Sequence, residues 1–264
     1  MLSCGNLVDV NHVEFPMETI KDNVIQHSKY KIYVYGGART VSGLDGNGIL
    51  LNGVNQYMDI SKAALCNGDL EHCPKGFTFR IKVFPNTLKD NTYFVSSAPL
   101  DVYYRNGQLV SEVRSQNKRW RASAAALDRG SWHTIDVSWH PMDGLSMYVD
   151  SKRVAVQPRA SDNWDGYDPE QRFFIGRADT SMLRERYPNA IIDDVEIWEA
   201  KRDYLIGQGL ITRGKSRDDL LYVTPVPLTA VFLLPKISVL RWASWRPVNV
   251  PFFSRRKHLC VYTA

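Results

Sequence analysis

Four carboxylates gather near one end of a strand-like run: Asp193, Asp194, Glu196 and Glu199. Acids at alternate positions of a β-strand share a face, and two carboxylates flanking a glycosidic bond are what polysaccharide hydrolysis requires. Strict alternation through 192–198 puts Asp194 and Glu196 on one face with Ile192 and Trp198, and Asp193, Val195 and Ile197 on the other. Neither face carries three acids at i, i+2 and i+4. Asp194 and Glu196 alone stand about 6.6–7 Å apart along a strand, a spacing met on any solvated sheet face. The pattern predicts no catalysis, with a glycan-cleaving enzyme as the alternative.

The same aspartates suit a hard cation. Calcium takes several oxygen ligands, and Asp193 or Asp194 at the start of a closing strand is placed to join backbone carbonyls near Glu14 in a structural calcium site. For ligand binding, aromatics in turn-rich segments are the tool: Tyr103, Tyr104, Trp120, Trp164 and Tyr167. Trp164 and Tyr167 lie in a loop, 162–168, that mixes acids, an amide and both rings. Arg114, Lys118, Arg119 and Arg121 surround Trp120 and offer a landing point for an anionic polysaccharide, or a solvated hairpin edge. Trp120, Arg119, Arg121, Trp164 and Tyr167 form the candidate ligand set. Trp132, Trp139 and Trp198 fit strand faces and are expected in the core. The six histidines are scattered, and Ser131-Trp-His-Thr134 forms no nucleophile elbow.

Cys66 and Cys73 bracket six residues, a gap that suits a disulfide across a tight loop. Zinc with His72 is the rival, but a fourth ligand is missing and the spacing is not that of a zinc finger. A disulfide points to an oxidising compartment. Cys4 and Cys260 have no evident role. The glycines between 36 and 53 precede no Lys-Ser/Thr and no helical pattern, so they read as turns and not as a phosphate loop.

The elements that must position these residues are strands. Phe77, Phe79, Ile81 and Val83 alternate with Thr78, Arg80 and Lys82, a run expected to end at Pro85-Asn86. Ile135, Val137 and Trp139 alternate similarly, and Gly144, free to take positive φ, turns the chain into a second run at Leu145, Met147 and Val149. Shorter strands are expected at 30–35, 49–51, 56–60, 92–96, 100–104, 108–114, 120–125, 173–175 and 191–198, several separated by turns such as Asn106-Gly107. A dozen short strands and one short helix within 199–210 predict an all-β, two-sheet antiparallel sandwich.

The net charge of +5 sits in the wrong place for a nucleic-acid binder: residues 211–264 hold nine Lys and Arg against two Asp, leaving the body mildly acidic. No signal peptide is evident at 1–10 and no Asn-x-Ser/Thr site occurs, so secretion is expected only for a fragment or truncated form of a surface protein. The apolar run 220–235 contains three prolines and falls short of the ~20 residues a bilayer span needs. The expected organisation is a lead (1–11), one domain (12–206) and a poorly ordered hydrophobic and basic tail (207–264).

Six segments in order resemble the laminin-G-like, concanavalin A-like jelly rolls, pentraxin-like domains included: Phe15-Pro-Met17, Gly48 through Ile60, Cys66 through Phe79, Trp132-His133 with Tyr148-Val-Asp150, Phe174-Ile-Gly-Arg177, and Ile192-Asp-Asp-Val-Glu-Ile-Trp198. The cysteine loop and the closing segment are similar to pentraxin-like domains at the N-termini of some adhesion G-protein-coupled receptors. This resemblance implies a non-enzymatic extracellular module that recognises a glycan or protein, with calcium supporting the closing strand. It implies membrane association only through a larger parent protein. A jelly-roll glycoside hydrolase and a structural spacer domain are the alternatives.

Overall fold

A computed structural model describes residues 10–27, 30–60, 66, 70–115, 117–162, 172–178 and 187–211. The chain divides into two units, Met1–Tyr222 and Val223–Ala264, and every described residue belongs to the first. Its early strands are β1 (His12–Phe15), β2 (Ile20–Lys21), β3 (Val24–Gln26), β4 (Lys31–Tyr35), β5 (Arg39–Ser42), β6 (Asn47–Asn52) and β7 (Tyr57–Asp59). The middle strands are β8 (Phe77–Thr87), β9 (Thr92–Ser97), β10 (Leu100–Arg105), β11 (Gln108–Ser115), β12 (Lys118–Ala125), β13 (His133–His140) and β14 (Gly144–Val149). Then come β15 (Lys152–Gln157), β16 (Ser161–Asp162), β17 (Phe173–Ile175), β18 (Asn189–Trp198) and one helix, α1 (Arg202–Gly207).

These strands form two antiparallel sheets. The first runs β15-β14-β13-β8-β18-β6-β5, with β1 also pairing β18; the second runs β16-β12-β11-β10-β9-β17-β7-β4-β3-β2. The fold is the expected all-β sandwich, with one short C-terminal helix among the described residues. Alternation explains its core. Phe77, Phe79, Ile81, Val83, Ile135, Val137 and Met147 from the first sheet meet Ile32, Met58, Phe94, Val102, Val113 and Ile175 from the second, all fully buried. Phe79 and Phe173 bring their ring centroids to 6.0 Å. Each such side chain contributes about 1.5–3 kcal/mol of burial.

Three local features differ from simple alternation. Strand β8 does not end at Pro85: it continues to Thr87, with Pro85 opposite Ala190 on β18. Its other neighbour, β13, starts at His133 opposite Val83, so the missing N–H of Pro85 withdraws no bond from a ladder. Strand β18 slips register between Asp193 and Val195, and Asp194 adopts a φ of 32°. This bulge switches parity, so Ala190 and Ile192 before it and Val195 and Ile197 after it all face the core. Ile192 is therefore not beside Asp194 and Glu196.

Helix α1 covers the outward side of the first sheet, burying Trp198, Ala200, Leu205 and Ile211 in a second small cluster. Beneath it, Asp136 takes the Nε of both Arg80 (2.7 Å) and Arg202 (2.9 Å), and the Arg202 guanidinium lies over the Tyr148 ring. Glu196, 3.7 Å from Arg80 Nη1, supplies a second carboxylate, so the two guanidinium groups of that face meet two acids. No described helix is long and apolar enough to cross a membrane.

Candidate ligand-binding face

The outward side of the second sheet carries a transverse row of polar and aromatic residues drawn from seven strands. Register places Tyr33 opposite Asp59, Asp59 opposite Phe174, and Phe174 opposite Ser96. Ser96 in turn stands opposite Asp101, Asp101 opposite Glu112, and Glu112 opposite Arg121. Strand spacing makes this row about 29 Å long. The hairpin at Asn106-Gly107 sets its centre: both residues have positive φ (51° and 74°), the type I′ geometry that ties Arg105 to Gln108 and hence Asp101 to Glu112.

Although they face away from the core, Asp59, Asp101 and Glu112 are 4–6% exposed. Each has polar partners. Asp101 accepts from Ser96 Oγ at 2.6 Å and pairs with Arg114 Nη1 at 2.6 Å. Glu112 accepts from the Tyr103 hydroxyl at 2.7 Å and lies 3.5 Å from Arg121 Nε. Asp59 lies 4.0 Å from Arg172 Nη1. Burial pushes the Asp101 carboxyl up, with Arg114 opposing, and pushes the Tyr103 hydroxyl up beside Glu112. Tyr93, stacked on Tyr103 at 4.9 Å, is pushed up to about 12, chiefly by burial.

One end of the row is aromatic. Tyr35 stacks on Tyr57 at 4.6 Å and 12°, Tyr57 meets Phe174 edge-on at 6.0 Å, and Arg177 lies over both Tyr57 and Phe174. Tyr33 and Tyr35 are 38% and 40% exposed. The face thus offers flat apolar rings beside the exposed guanidinium groups of Arg172 and Arg121, each lying near a buried carboxylate. Such a mixture suits a ligand with apolar faces and hydroxyl edges.

The sequence-derived candidates are distributed differently. Trp120 is a core residue and not a surface aromatic: it is 7% exposed and meets Trp139 edge-on at 5.4 Å. Its inward parity is shared with Ala122 and Ala124, while Arg119 and Arg121 take the opposite face. Arg121 joins the row through Glu112. Arg114 is not part of a basic cluster, because Asp101 holds it. Tyr103, one of the aromatics noted near turns, is 3% exposed and supports Glu112. Trp164 and Tyr167 lie outside the described residues, as do Cys4 and Cys260. Trp139 is in the core as expected, whereas Trp198 belongs to the cluster under α1. Cys66 and Cys73 are joined by a disulfide.

The acids of β18 do not form a cleft. Glu196 neighbours Arg80 (3.7 Å) and His12 (3.4 Å), and Glu199 accepts from Asn11 Nδ2. Asp193 Oδ2 accepts the backbone N–H groups of Leu44 and Asp45, and its Oδ1 accepts that of Asp194. Asp194 Oδ2 accepts from Lys82 Nζ at 2.7 Å. Glu14 stands across from Glu196, beyond the bulge. Donor hydrogens converge on these aspartates, so the set does not fit a calcium ion. Among the described residues no three His, Cys, Asp or Glu side chains are grouped to hold a metal.

The row itself escaped the sequence because its members come from separate strands. A signal for its centre did exist. A two-residue Asn-Gly turn fixes hairpin register, and an acid on each arm of such a hairpin, Asp101 and Glu112, is paired by counting outward from the turn.

The chain matches the laminin-G-type model of the concanavalin A-like lectin/glucanases superfamily over residues 52–203, more than half its length. It belongs to that family. Among solved structures it is similar to the Trypanosoma rangeli sialidase (13% identity, TM-score 0.51, covering 72% of this chain and 30% of that one). It is also similar to the binding domain of botulinum neurotoxin DC in complex with rat synaptotagmin II (10% identity, TM-score 0.50, 71% and 48%). A third is domain 4 of an extracellular GH43 arabinanase from Geobacillus stearothermophilus in complex with arabinotriose (13% identity, TM-score 0.42, 72% and 82%). The chain spans less than half the length of the sialidase and toxin chains, and at these identities the likeness is one of fold. No curated protein matches the sequence.

Proposed function

We propose that the protein is a non-enzymatic extracellular recognition module, part of an adhesion or surface molecule, that holds a glycan across the outward face of the second sheet. The observation that carries this reading is the exposed Tyr35 ring stacked on Tyr57 beside the Asp59–Arg172 pair. A pyranose ring laid on Tyr35 would bury its apolar face there and present hydroxyls to the exposed guanidinium groups of Arg172 and Arg121 along the row. The family, which unites lectins and glucanases, supports a carbohydrate ligand, and the Cys66–Cys73 disulfide supports an oxidising location. A glycan array probed with the full chain and with a Tyr35→Ala/Tyr57→Ala variant tests it. At least a tenfold loss of signal in the folded variant is expected; a wild type that binds no glycan would sink the reading.

A glycoside hydrolase is the second reading, favoured by one observation. Asp101 and Glu112 are directly opposed register partners on adjacent strands, which sets two carboxyl groups side by side on one sheet face, and a glycosidase needs such a pair. Against it, Arg114 and Arg121 neutralise the two groups, and a general acid must carry a proton. Release of reducing sugar by the wild type, abolished in Asp101→Asn, would establish this reading.

A further inference from the structure

The turn between β5 and β6 is fastened to the closing strand by charged groups. Asp193, fully buried, grips the turn through the amides of Leu44 (2.8 Å) and Asp45 (3.1 Å). A Cβ on Gly43 would come within 2.7 Å of the same carboxylate, so the turn lies tightly against it. Asp194 projects from the bulge, and Asp45 stands at the tip of the turn. Opposite the bulge on β8, Lys82 is the register partner of Asp193. Its ammonium reaches Asp194 Oδ2 and Asp45 Oδ2, each at 2.7 Å.

Two aspartates therefore meet one lysine, while the third, Asp193, is taken up by backbone amides. The ammonium bridges an acid of the strand and an acid of the turn, which is the task of a cross-linking cation. Lys82 is 17% exposed and Asp194 20%, so the pairing is only partly screened by water, whereas Asp45 is open at 73%. Burial works to lower the Lys82 pKa, but the bonds to Asp194 and Asp45 outweigh it and keep the group charged. A divalent ion in the same place would face that ammonium at close range.

We infer that Lys82 is the resident cation of this junction, bridging Asp45 to Asp194 in place of a divalent metal, so that the sandwich closes without calcium. The neutral substitution Lys82→Met would leave the carboxylates unneutralised and open to a hard cation. Thermal melting of the full 264-residue chain in millimolar calcium and in chelator, with terbium luminescence as a binding probe, tests this. The wild type should melt at one temperature in both solutions and sensitise no terbium. Lys82→Met should melt about 5 °C lower in chelator, recover in calcium, and sensitise terbium in a manner lost in Lys82→Met/Asp194→Asn. If Lys82→Met folds only when calcium is supplied, the inference also stands. A wild type whose melting shifts with calcium or chelator overturns it. So does a Lys82→Met chain that binds no terbium, or one that fails to fold in either solution.

Discussion

Asp101 and Glu112 stand directly opposite each other on adjacent strands, both nearly buried, on the side of the sheet that faces away from the core. Like charges so placed repel. The protein resolves this with local counter-charges, Arg114 on one acid and Arg121 on the other. The arrangement leaves Asp101 with a raised pKa, caused first by burial.

That shift has a defined pH signature. As pH rises above the ordinary aspartate value of 3.8, the unfolded chain releases the Asp101 proton while the folded chain retains it. The Asp101 contribution to stability is present below that value and declines until the raised folded pKa is passed. Asp101→Asn removes the titration. Denaturant unfolding from the acid side of 3.8 to neutrality should show wild type losing ground steadily to the variant; parallel curves would contradict the assignment.

Trp120 and Tyr35 should separate stability from binding. Trp120→Ala removes a core ring and is expected to destabilise by about 3–5 kcal/mol, without selective loss of ligand. Tyr35→Ala, at a half-exposed position stacked on Tyr57, is expected to destabilise by about 0.5–1.5 kcal/mol while selectively weakening glycan retention. Unfolding curves and array signals on the same samples check both.

Reduction of the Cys66–Cys73 bond should lower stability by about 2.5 kcal/mol for so short a loop. For a domain of this size that corresponds to a fall of about 5–10 °C in Tm. Calorimetry with and without reductant, and on a Cys66→Ser/Cys73→Ser variant, measures it.

Two glycines with the same backbone should respond differently to alanine. Gly144 and Gly130 have φ of 75° and 74°. A Cβ at Gly144 would sit 2.3 Å from the Gln157 carbonyl oxygen, whereas at Gly130 nothing lies within 4 Å. Gly130→Ala is expected to cost about 1–2 kcal/mol from conformation alone, and Gly144→Ala clearly more, because β15 must give way. Chemical denaturation of the pair decides.

Strands with one apolar face are legible in the sequence: β8, β13 and β14 announce themselves by alternation. Strand β15 does not, because Lys152, Arg153, Val154 and Val156 are all exposed along an edge and only the small Ala155 packs on the core. The parity switch at Asp193–Asp194 was equally silent, since a bulge shifts one residue without changing the composition around it. Trp120 misled because four nearby basic residues suggest a surface, while the strand's pleat decides which way the ring turns. The binding row joins residues far apart in the chain through strand order, which local patterns do not encode.

Strand β18 takes two partners along one edge: β6 covers Asn189 to Ile192, and β1 covers Val195 to Trp198 beyond the bulge. A shortened polypeptide beginning after Phe15 would strip the latter four residues of their ladder partner. Bare amides and carbonyls flanked by valine, isoleucine and tryptophan invite a neighbouring molecule to pair there. The four residues from His12 thus act as a guard against self-association as well as a seam in the fold.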